Sequence, residues 1–266
     1  MRFALFSDQH FGPKAFFEGK LRKLSHEAAS LTRAFVERMN DVERPDLVVN
    51  LGDVVEDESP EQDLERYREF LSAVSALRAP LLHVAGNHDQ IHLTPDDLRS
   101  LWSHTGPLHY SRSFGEVTFV VLNTLETKDV AVRLPAEQLV WLEGELARAS
   151  RPVVVLMHHP SSEQDLTGNR WFAKAPHICR LAERRELRRV IEASGKVVAV
   201  FNGHAHWNHL DVIRGIPYVT LQSLIENLDA DAPGRPAAAF AVCDLDAHRL
   251  QVRIEGAESA RYQFEL

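Results

Sequence analysis

The chain has 266 residues, of which 44% are hydrophobic and 26% are charged, and its formal net charge is −8 at pH 7. This composition is typical of a globular protein with a large core, and the acidic balance disfavours nucleic-acid polymers and anionic membranes as partners. Two cysteines without a CxxC spacing predict neither a disulfide framework nor a cysteine zinc site. No apolar stretch approaches the roughly 20 residues of a membrane span, and the N-terminus lacks a secretory signal core, so we expect a cytoplasmic protein.

Six short apolar runs are predicted to form β-strands. Each has about the length of a strand, and most are rich in β-branched residues. Their apolar residues are continuous rather than alternating, which predicts that both faces of the sheet are covered. In chain order the predicted strands are residues 2–7, 46–51, 80–85, 118–123, 152–157 and 197–201.

The segments between these runs carry apolar residues at spacings of three and four, which predicts helices. Prolines in the first turn support two of the helix starts, at Pro95 and at Pro135. The predicted helices cover residues 17–39, 61–78 and about 177–193, together with the segments that follow these two prolines. After residue 209, further short strands are predicted near 210–213, 216–222, 239–245 and 249–255.

Strands that alternate with helices, followed by a run of strands, predict an α/β fold with helices on the outside. Neither an internal repeat nor a clear linker stands out in the sequence. We therefore expect residues 1–266 to form a single domain.

Side chains that can bind metals follow directly after five of the predicted strands. His204 and His206, for example, come after the run VVAVF and a short Asn-Gly break. Because ligands bind at the carboxyl ends of the strands in open α/β sheets, side chains about 200 residues apart are expected to converge there. The candidate ligands are Asp8, His10, Asp53, Asn87, His158, His204 and His206.

The chemistry of this set predicts a pair of metal ions. It contains carboxylate, amide and imidazole groups but no thiolate, which suits Mn, Fe, Zn or Co. Seven protein ligands exceed the needs of one ion that must also bind water, so one carboxylate is expected to bridge two ions. Glycines stand before Asp53, Asn87 and His204, where they permit a tight turn at the strand end.

The ordered motifs D-x-H, G-D, G-N-H-D, H and G-H-x-H, spread from residue 8 to residue 206, resemble the calcineurin-like metallophosphoesterase superfamily. The compact length and the GNHD and HHP motifs look most like its cyclic-nucleotide and glycerophosphodiester phosphodiesterase branch. The resemblance implies a four-layer α/β/β/α sandwich of two mixed sheets flanked by helices. It also implies that the C-terminal run of strands builds much of the second sheet.

The resemblance further implies which residues bind each ion. One metal ion would be bound by Asp8, His10 and His206. The other would be bound by Asn87, His158 and His204, with Asp53 bridging the two. His158 rather than its neighbour His159 is predicted as the ligand because it comes first after the strand, as in the family.

The same resemblance suggests how the reaction proceeds. A water that bridges two metal ions would lose a proton near neutral pH and attack phosphorus as hydroxide, in line with the leaving oxygen. His88 would stabilise the transition state or protonate the leaving alkoxide. Asp89 would orient His88 through a hydrogen bond.

Three functions are weighed for such a site. The first is hydrolysis of a small phosphodiester, such as a cyclic nucleotide or a glycerophosphodiester. The second is a phosphomonoesterase or a nucleotide-diphosphate pyrophosphatase, which usually needs extra cations; Arg112, Arg170 and Lys174 are the plausible ones. The third is a metal-free scaffold that binds protein partners. A homo-oligomer is an expectation by analogy with the family alone.

Substrate choice is expected to depend on the loops at residues 11–20, 90–113, 161–176 and 228–239. Within them, Trp171 and Phe172 are candidates for the substrate pocket, with packing in the core as the alternative. His209 extends the histidine cluster and is expected at the surface or in a supporting position behind the ligands.

Overall fold

The computed structural model describes residues 1–128, 130–150, 152–229 and 231–266. Its strands are β1 (Arg2–Phe6), β2 (Ala15–Phe17), β3 (Lys20–Lys23), β4 (Leu47–Asn50), β5 (Leu81–His83), β6 (Tyr110–Phe114), β7 (Val117–Val121), β8 (Leu125–Thr127), β9 (Ala131–Arg133), β10 (Val153–Leu156), β11 (Val197–Asn202), β12 (His209–Ile213), β13 (Ile216–Thr220), β14 (Phe240–Leu245), β15 (Arg249–Glu255) and β16 (Ala260–Glu265). Its α-helices are α1 (Ala28–Arg38), α2 (Pro60–Val74), α3 (Asp89–His92), α4 (Pro95–Leu101), α5 (Ala136–Arg148) and α6 (Arg184–Ser194).

Twelve of these described strands form two mixed sheets of six strands each. The first sheet has the order β16-β15-β14-β1-β4-β5. In it β1, β4 and β5 run parallel, while β14, β15 and β16 pair antiparallel. The second sheet has the order β12-β13-β11-β10-β7-β6, with four parallel inner strands and an antiparallel strand at each edge.

Alternate side chains of β1 face two different layers. Phe3 and Leu5 lie in the core between the sheets, where the ring of Phe3 is 5.2 Å from that of Phe119 in the second sheet. Phe6 points the other way and stacks on Phe35 of α1 at 4.4 Å. Both faces of the strand are therefore buried, which explains its continuous apolar sequence.

The second sheet is covered in the same way. Leu156 of β10 faces the core between the sheets, whereas Val155 packs with Leu142 of α5 and Leu187 of α6. The layers are therefore helix, sheet, sheet, helix, which confirms the predicted α/β/β/α sandwich.

The helix predicted over residues 17–39 is wrong in its first part, where the chain forms the hairpin β2–β3. Glu18 and Gly19 connect its strands, and both have positive φ (50° and 74°), as a two-residue hairpin turn requires. Across the hairpin Phe17 pairs with Lys20 and Leu21 pairs with Phe16, so the helical spacing of four between Phe17 and Leu21 is a coincidence. The helix itself begins only at Ala28.

Two further predictions are corrected. The helix predicted over 177–193 is α6 from Arg184, preceded by a single 3₁₀ turn at Pro176–Ile178. The C-terminal run of strands was predicted to build much of the second sheet. Instead it is divided: β12 and β13 extend the second sheet, but β14, β15 and β16 complete the first sheet beside β1. The outermost strand β16 alternates in exposure and was not predicted, nor were β6, β8 and β9. Within the described ranges, no helix has the length and apolar character to cross a lipid bilayer.

Candidate metal centre

The seven predicted ligands converge at the carboxyl ends of β1, β4, β5, β10 and β11, at one edge of the sandwich. Backbone hydrogen bonds tie the loops there to one another: the N–H of Asp8 donates to the carbonyl of Gly52 at 2.9 Å, and that of His10 donates to Asp53 at 3.0 Å. The N–H of His204 donates to the carboxylate of Asp8 at 3.1 Å. The loops after β1, β4 and β11 therefore form one connected frame.

One group of ligand atoms gathers around Asp8. The Nε2 atoms of His10 and His206 lie 3.1 Å apart, and Nε2 of His206 is 3.4 Å from Oδ1 of Asp8. All three side chains are buried. They form a set of donor atoms close enough to share one ion.

A second group gathers around His158. Its Nε2 lies 3.1 Å from Oδ1 of Asn87 and 3.2 Å from Oδ2 of Asp53, and its ring centroid is 5.1 Å from that of His204. The same Oδ2 of Asp53 is 3.7 Å from Nε2 of His10. Asp53 thus reaches both groups, as a bridging carboxylate must.

The outer nitrogen of each candidate histidine has a hydrogen-bond acceptor. Nδ1 of His10 contacts Glu56 at 3.0 Å, and Nδ1 of His206 contacts Glu226 at 2.8 Å. Nδ1 of His158 donates to the carbonyl of Leu51 at 2.8 Å.

The fourth histidine is held through its other ring atom, because Nε2 of His204 donates to the carbonyl of Ile178 at 3.1 Å. An acceptor on the outer nitrogen fixes the proton there and leaves the inner lone pair free to bind a cation. The donor set and its tautomers therefore fit two borderline metal ions.

The backbone at these residues is strained. Asp8, His10, Asp53, His204 and His206 all have φ between 43° and 65°, a region that side chains other than glycine rarely occupy. Such strain clusters at functional sites, because the surrounding structure holds the side chains in position.

Two glycines allow the close approach that this geometry needs. A Cβ on Gly86 would lie 2.1 Å from Oδ1 of Asp53, and a Cβ on Gly203 would lie 2.5 Å from Oδ2 of Asp8. Neither position has room for another residue, as the placing of glycines before the ligands predicts.

The buried carboxylates of the centre strongly favour positive charge beside them. Burial is the largest influence on the pKa of Asp8 and would raise it, but the charges of His206 and His158 outweigh burial and lower it. Conversely, burial alone would lower the pKa of His206, yet Asp8 raises it to about 9. Asp53 likewise raises the pKa of His158 to about 10 against the effect of burial. Cations bound here would satisfy the same carboxylates.

His88 lines the cleft beside these groups, but its predicted partner is wrong. Nδ1 of His88 pairs with Oδ1 of Asp57 at 2.8 Å, not with Asp89. Asp89 instead accepts backbone N–H groups of Asp53, Val54 and Gly86 at 2.8–3.0 Å, so it shapes the turn that carries Asp53. Burial and the charge of Asp53 raise the pKa of Asp89 to about 6.

Four side chains in this frame were not predicted: Lys23, Glu56, Asp57 and Glu226. Lys23 is buried, and its Nζ lies 3.0 Å from Glu56 and 3.4 Å from Nδ1 of His10. Burial would raise the pKa of Glu56, but Lys23 and His10 lower it. In the sequence, Glu56 and Asp57 are marked only weakly as site residues, by their position shortly after the G-D motif.

His158, His159 and His209 occupy different positions relative to the centre. Nδ1 of His159 bonds the hydroxyl of Thr124 at 2.7 Å, and its ring lies against His204 at 4.1 Å, whereas His158 faces Asn87 and Asp53. His158, His159 and His204 also bring one donor atom each within 4.8 Å of one another, so the choice of His158 over His159 stays a prediction. His209 lies on edge strand β12 and pairs with Asp211 at 3.3 Å.

A cleft of about 380 Å³ opens over the candidate ligands. Trp171 and Phe172 line it, as the pocket alternative predicts, and the hairpin β2–β3 forms the opposite wall. Its lining residues are Ala15, Phe16, Phe17, Lys23, Asp53, Glu56, Asn87, His88, Glu126, Trp171, Phe172, Ile178, His204 and His206.

The three cations considered from the sequence do not line this cleft. Arg112 lies on β6. Arg170 donates to the carbonyl of Asn227 at 2.8 Å, and the exposed Lys174 pairs with Glu18 at 3.4 Å. Among the described residues that line the cleft, Lys23 is therefore the one permanent cation, and its charge is matched by Glu56.

Comparison with known proteins gives a consistent picture. The sequence model of the calcineurin-like phosphoesterase family matches residues 1–208. A probable cyclic nucleotide phosphodiesterase of Synechococcus sp. is 31% identical over 170 residues, which are 61% of this chain and 58% of that protein. A glycerophosphodiester phosphodiesterase of Enterobacter lignolyticus is 28% identical over 199 residues, covering 73% of this chain and 68% of the relative. A dimetal phosphatase from Danio rerio shares the fold with a TM-score of 0.79 at 18% identity, over 99% of this chain and 98% of that one.

Proposed function

The chain belongs to the calcineurin-like phosphoesterase family, and from this premise we propose that it is a two-metal hydrolase of small phosphodiesters. Cyclic nucleotides and glycerophosphodiesters, which the names of two relatives specify, are the proposed substrate classes. The matched part spans 58% of the first of these relatives. The cleft of this chain itself supports the proposed activity, as follows.

The proposed ligands follow from the two groups of donor atoms. Asp8, His10 and His206 would hold one ion of Mn, Fe, Zn or Co. Asn87, His158 and His204 would hold the other, and Asp53 would bridge them. The ions supply Lewis acidity, which activates water as the nucleophile and neutralises charge on the phosphoryl oxygens.

His88 is the proposed general acid. Its Nδ1 is held by Asp57 at 2.8 Å, so that the ring keeps one orientation. Burial alone would lower the pKa of His88, but the charge of Asp53 and the bond to Asp57 raise it. This raised pKa favours the protonated ring, whose Nε2 proton can pass to the leaving alkoxide. Asp89 supports this step indirectly, through the turn that positions Asp53.

One observation favours a diester over a monoester. Acidic groups line the cleft at Asp53, Glu56 and Glu126, and Lys23 is the one permanent cation among its described lining residues. Because Lys23 is already paired with Glu56, the described lining residues offer no spare cationic side chain for the second negative charge of a phosphomonoester, whereas a diester carries one charge fewer. Arg170 and Lys174 are committed elsewhere.

Initial rates on bis(p-nitrophenyl) phosphate and p-nitrophenyl phosphate, with Mn²⁺ and with EDTA, test this proposal. We expect a metal-dependent preference for the diester. A preference for the monoester would make the protein a phosphatase. Absence of any metal-dependent rate would favour a diphosphate substrate or the scaffold alternative, and measurement of bound metal would separate these two.

We further propose that residues 1–266 form a single domain located in the cytoplasm. Strands β14, β15 and β16 complete the sheet that begins with β1, although they lie beyond the family match. Limited proteolysis checks the first statement: a stable fragment that ends near residue 208 would contradict it. Cell fractionation checks the second.

A further inference from the structure

Aromatic rings form both walls of the cleft above the candidate metal centre. On one wall, the hairpin β2–β3 presents Phe16 and Phe17, which are 65% and 38% exposed. On the other wall, Trp171 and Phe172 follow the turn at Asn169. Large exposed aromatic side chains at the mouth of a cleft are a sign of a binding surface. The four residues, called the aromatic clamp below, are Phe16, Phe17, Trp171 and Phe172.

The clamp lies directly against the candidate ligands. The ring of Trp171 is 5.6 Å from that of His206, and the ring of Phe172 is 4.6 Å from that of His204. Trp171 also contacts the opposite wall, where its ring is 5.0 Å from that of Phe17. A substituent on the reacting phosphorus would therefore reach these rings without leaving the cleft.

The walls are fixed in place by polar contacts. Nε1 of Trp171 donates to Oε2 of Glu226 at 3.2 Å, and the next residue, Asn227, donates its backbone N–H to Arg22 of the hairpin at 2.7 Å. At the tip of the hairpin, Glu18 pairs with Lys174 of the opposite wall at 3.4 Å. The exposed pair at the tip adds little, but the contacts of Trp171 and Asn227 hold the two walls together and so reduce the entropy lost when a substituent binds.

The chemistry of the clamp favours a flat, uncharged ring. Aromatic side chains bury planar groups against their ring faces. Each base stacked on such a side chain contributes binding free energy, which is lost when the side chain is replaced by alanine. A quaternary ammonium group could also seek aromatic faces. However, Nζ of Lys23 already lies 5.3 Å from the ring centroid of Trp171, so that ring has a resident cation.

We propose that the aromatic clamp binds a planar, nucleobase-like substituent of the phosphodiester and so determines the specificity of the enzyme. This inference rests on the proposed phosphodiesterase function. It concerns the substituent on phosphorus and leaves the reacting atoms to the metal centre and His88.

Three p-nitrophenyl phosphodiesters with one leaving group test the clamp, because they differ only in the second substituent: thymidine, methyl and choline. With the Mn²⁺-loaded protein, we expect kcat/KM on the thymidine ester to exceed that on the methyl ester by about tenfold or more. The double variant Phe16→Ala/Phe17→Ala should bring this ratio close to one. It should change the rate on the methyl ester far less, since both side chains are partly exposed and lie outside the catalytic machinery.

Two control variants accompany the test. Phe16→Tyr/Phe17→Tyr keeps both rings and should keep the ratio. Val140→Ala changes an exposed residue on α5, which is 69% exposed, and should leave every rate unchanged.

The failures are distinguishable. Equal rates on the thymidine and methyl esters would overturn the clamp but leave the phosphodiesterase function intact. If the choline ester is hydrolysed fastest and is equally sensitive to the double variant, the clamp binds a cationic substituent rather than a planar ring. No metal-dependent hydrolysis of any of the three esters would overturn the proposed function, and the clamp proposal with it.

Discussion

The two halves of the candidate metal centre hold their histidines in different ways. His10 and His206 each present Nδ1 to a carboxylate, that of Glu56 and that of Glu226. His158 and His204 instead donate to backbone carbonyls, of Leu51 and of Ile178. We refer to these as the carboxylate-backed half and the carbonyl-backed half.

Because of this difference, the two halves should not bind their ions equally tightly. A carboxylate behind a histidine raises the basicity of the inner nitrogen. Glu226 has this effect on His206, whereas burial and Lys23 outweigh Glu56 at His10 and lower the pKa of that ring to about 4. The carboxylate-backed half also contains Asp8, whereas the carbonyl-backed half contains the neutral amide of Asn87. We therefore expect the first half to bind a divalent ion more tightly and the second half to exchange its ion more readily.

Loss of the shared carboxylate should break both halves and give the largest effect. The variant Asp53→Asn keeps the shape of the side chain but removes the charge that faces His10 and His158. We expect a fall in kcat of about 10³-fold, because several kcal/mol of charge stabilisation are lost. Steady-state rates on bis(p-nitrophenyl) phosphate, with metal content by atomic emission, measure both consequences.

A matched carboxylate outside the site provides the control. Asp244→Asn removes the partner of Arg2 on the surface of the first sheet and should leave rate and metal content unchanged. Full activity and two bound ions in Asp53→Asn would refute the bridging role.

His88 belongs to neither half, so its loss should leave the contrast between them intact. We expect His88→Ala to keep the fold and the metal content but to lower kcat by roughly 10²-fold on an alkyl leaving group. The effect should be much smaller on p-nitrophenolate, which leaves without a proton. Asp57→Asn should weaken the same step less, since the ring itself remains.

The dependence on leaving group is the decisive readout here. If His88→Ala hydrolyses an alkyl diester at a rate near that of the wild type, His88 is not the acid.

The difference between the halves is tested directly by Glu226→Gln. Glutamine still accepts the hydrogen bond from His206 but lacks the negative charge. We expect the affinity for one of the two ions to fall by about 10–100-fold, and the affinity for the other to change little. Calorimetric titration of the metal-free protein with Mn²⁺ would resolve the two steps. Equal weakening of both ions, or of neither, would contradict the division into halves.

His83 lies outside both halves and is buried, and its Nδ1 has no hydrogen-bond partner among the described residues. We expect its effect, which is on stability, to be the smallest. Burial lowers the pKa of His83 from 6.5 to about 3, with no charge nearby to offset it. Below about pH 6.5 the ring of His83 therefore binds a proton in the unfolded chain but not in the folded chain. As the pH falls, the free energy of unfolding should decline by up to ~1.4 kcal/mol for each pH unit. Above that pH the contribution is constant.

Urea unfolding at pH 7 and pH 5, for the wild type and for His83→Asn, measures this decline. The variant should lose less stability than the wild type between the two pH values. An equal loss in both proteins would show that His83 does not contribute.

The convergence of the candidate ligands was predictable because each one closely follows an apolar run. Asp8, Asn87 and His204 are marked by their own sequence neighbours, and a parallel sheet brings such strand ends together. The hairpin β2–β3 was missed because the spacing of Phe17 and Leu21 also fits a helix, and only contacts made in the folded chain decide between the two.

The residues that support the site carry no comparable signal. Glu226 reaches His206 across 20 positions, and Asp57 reaches His88 across 31. Each is an ordinary acidic residue in the sequence, and its role exists only once the loops have been brought together. Asp89 was predicted as the partner of His88 because it is adjacent in the chain. The observed partner is Asp57, which the fold brings close.

The left-handed backbone of the ligands has a consequence for how this chain can evolve. Positive φ at Asp8, His10, Asp53, His204 and His206 costs about 1 kcal/mol or more at each position, and glycine would relieve that strain. Mutational drift toward a more stable fold therefore leads away from the metal site. Lineages that no longer need the activity should therefore lose these candidate ligands early while they keep the sandwich.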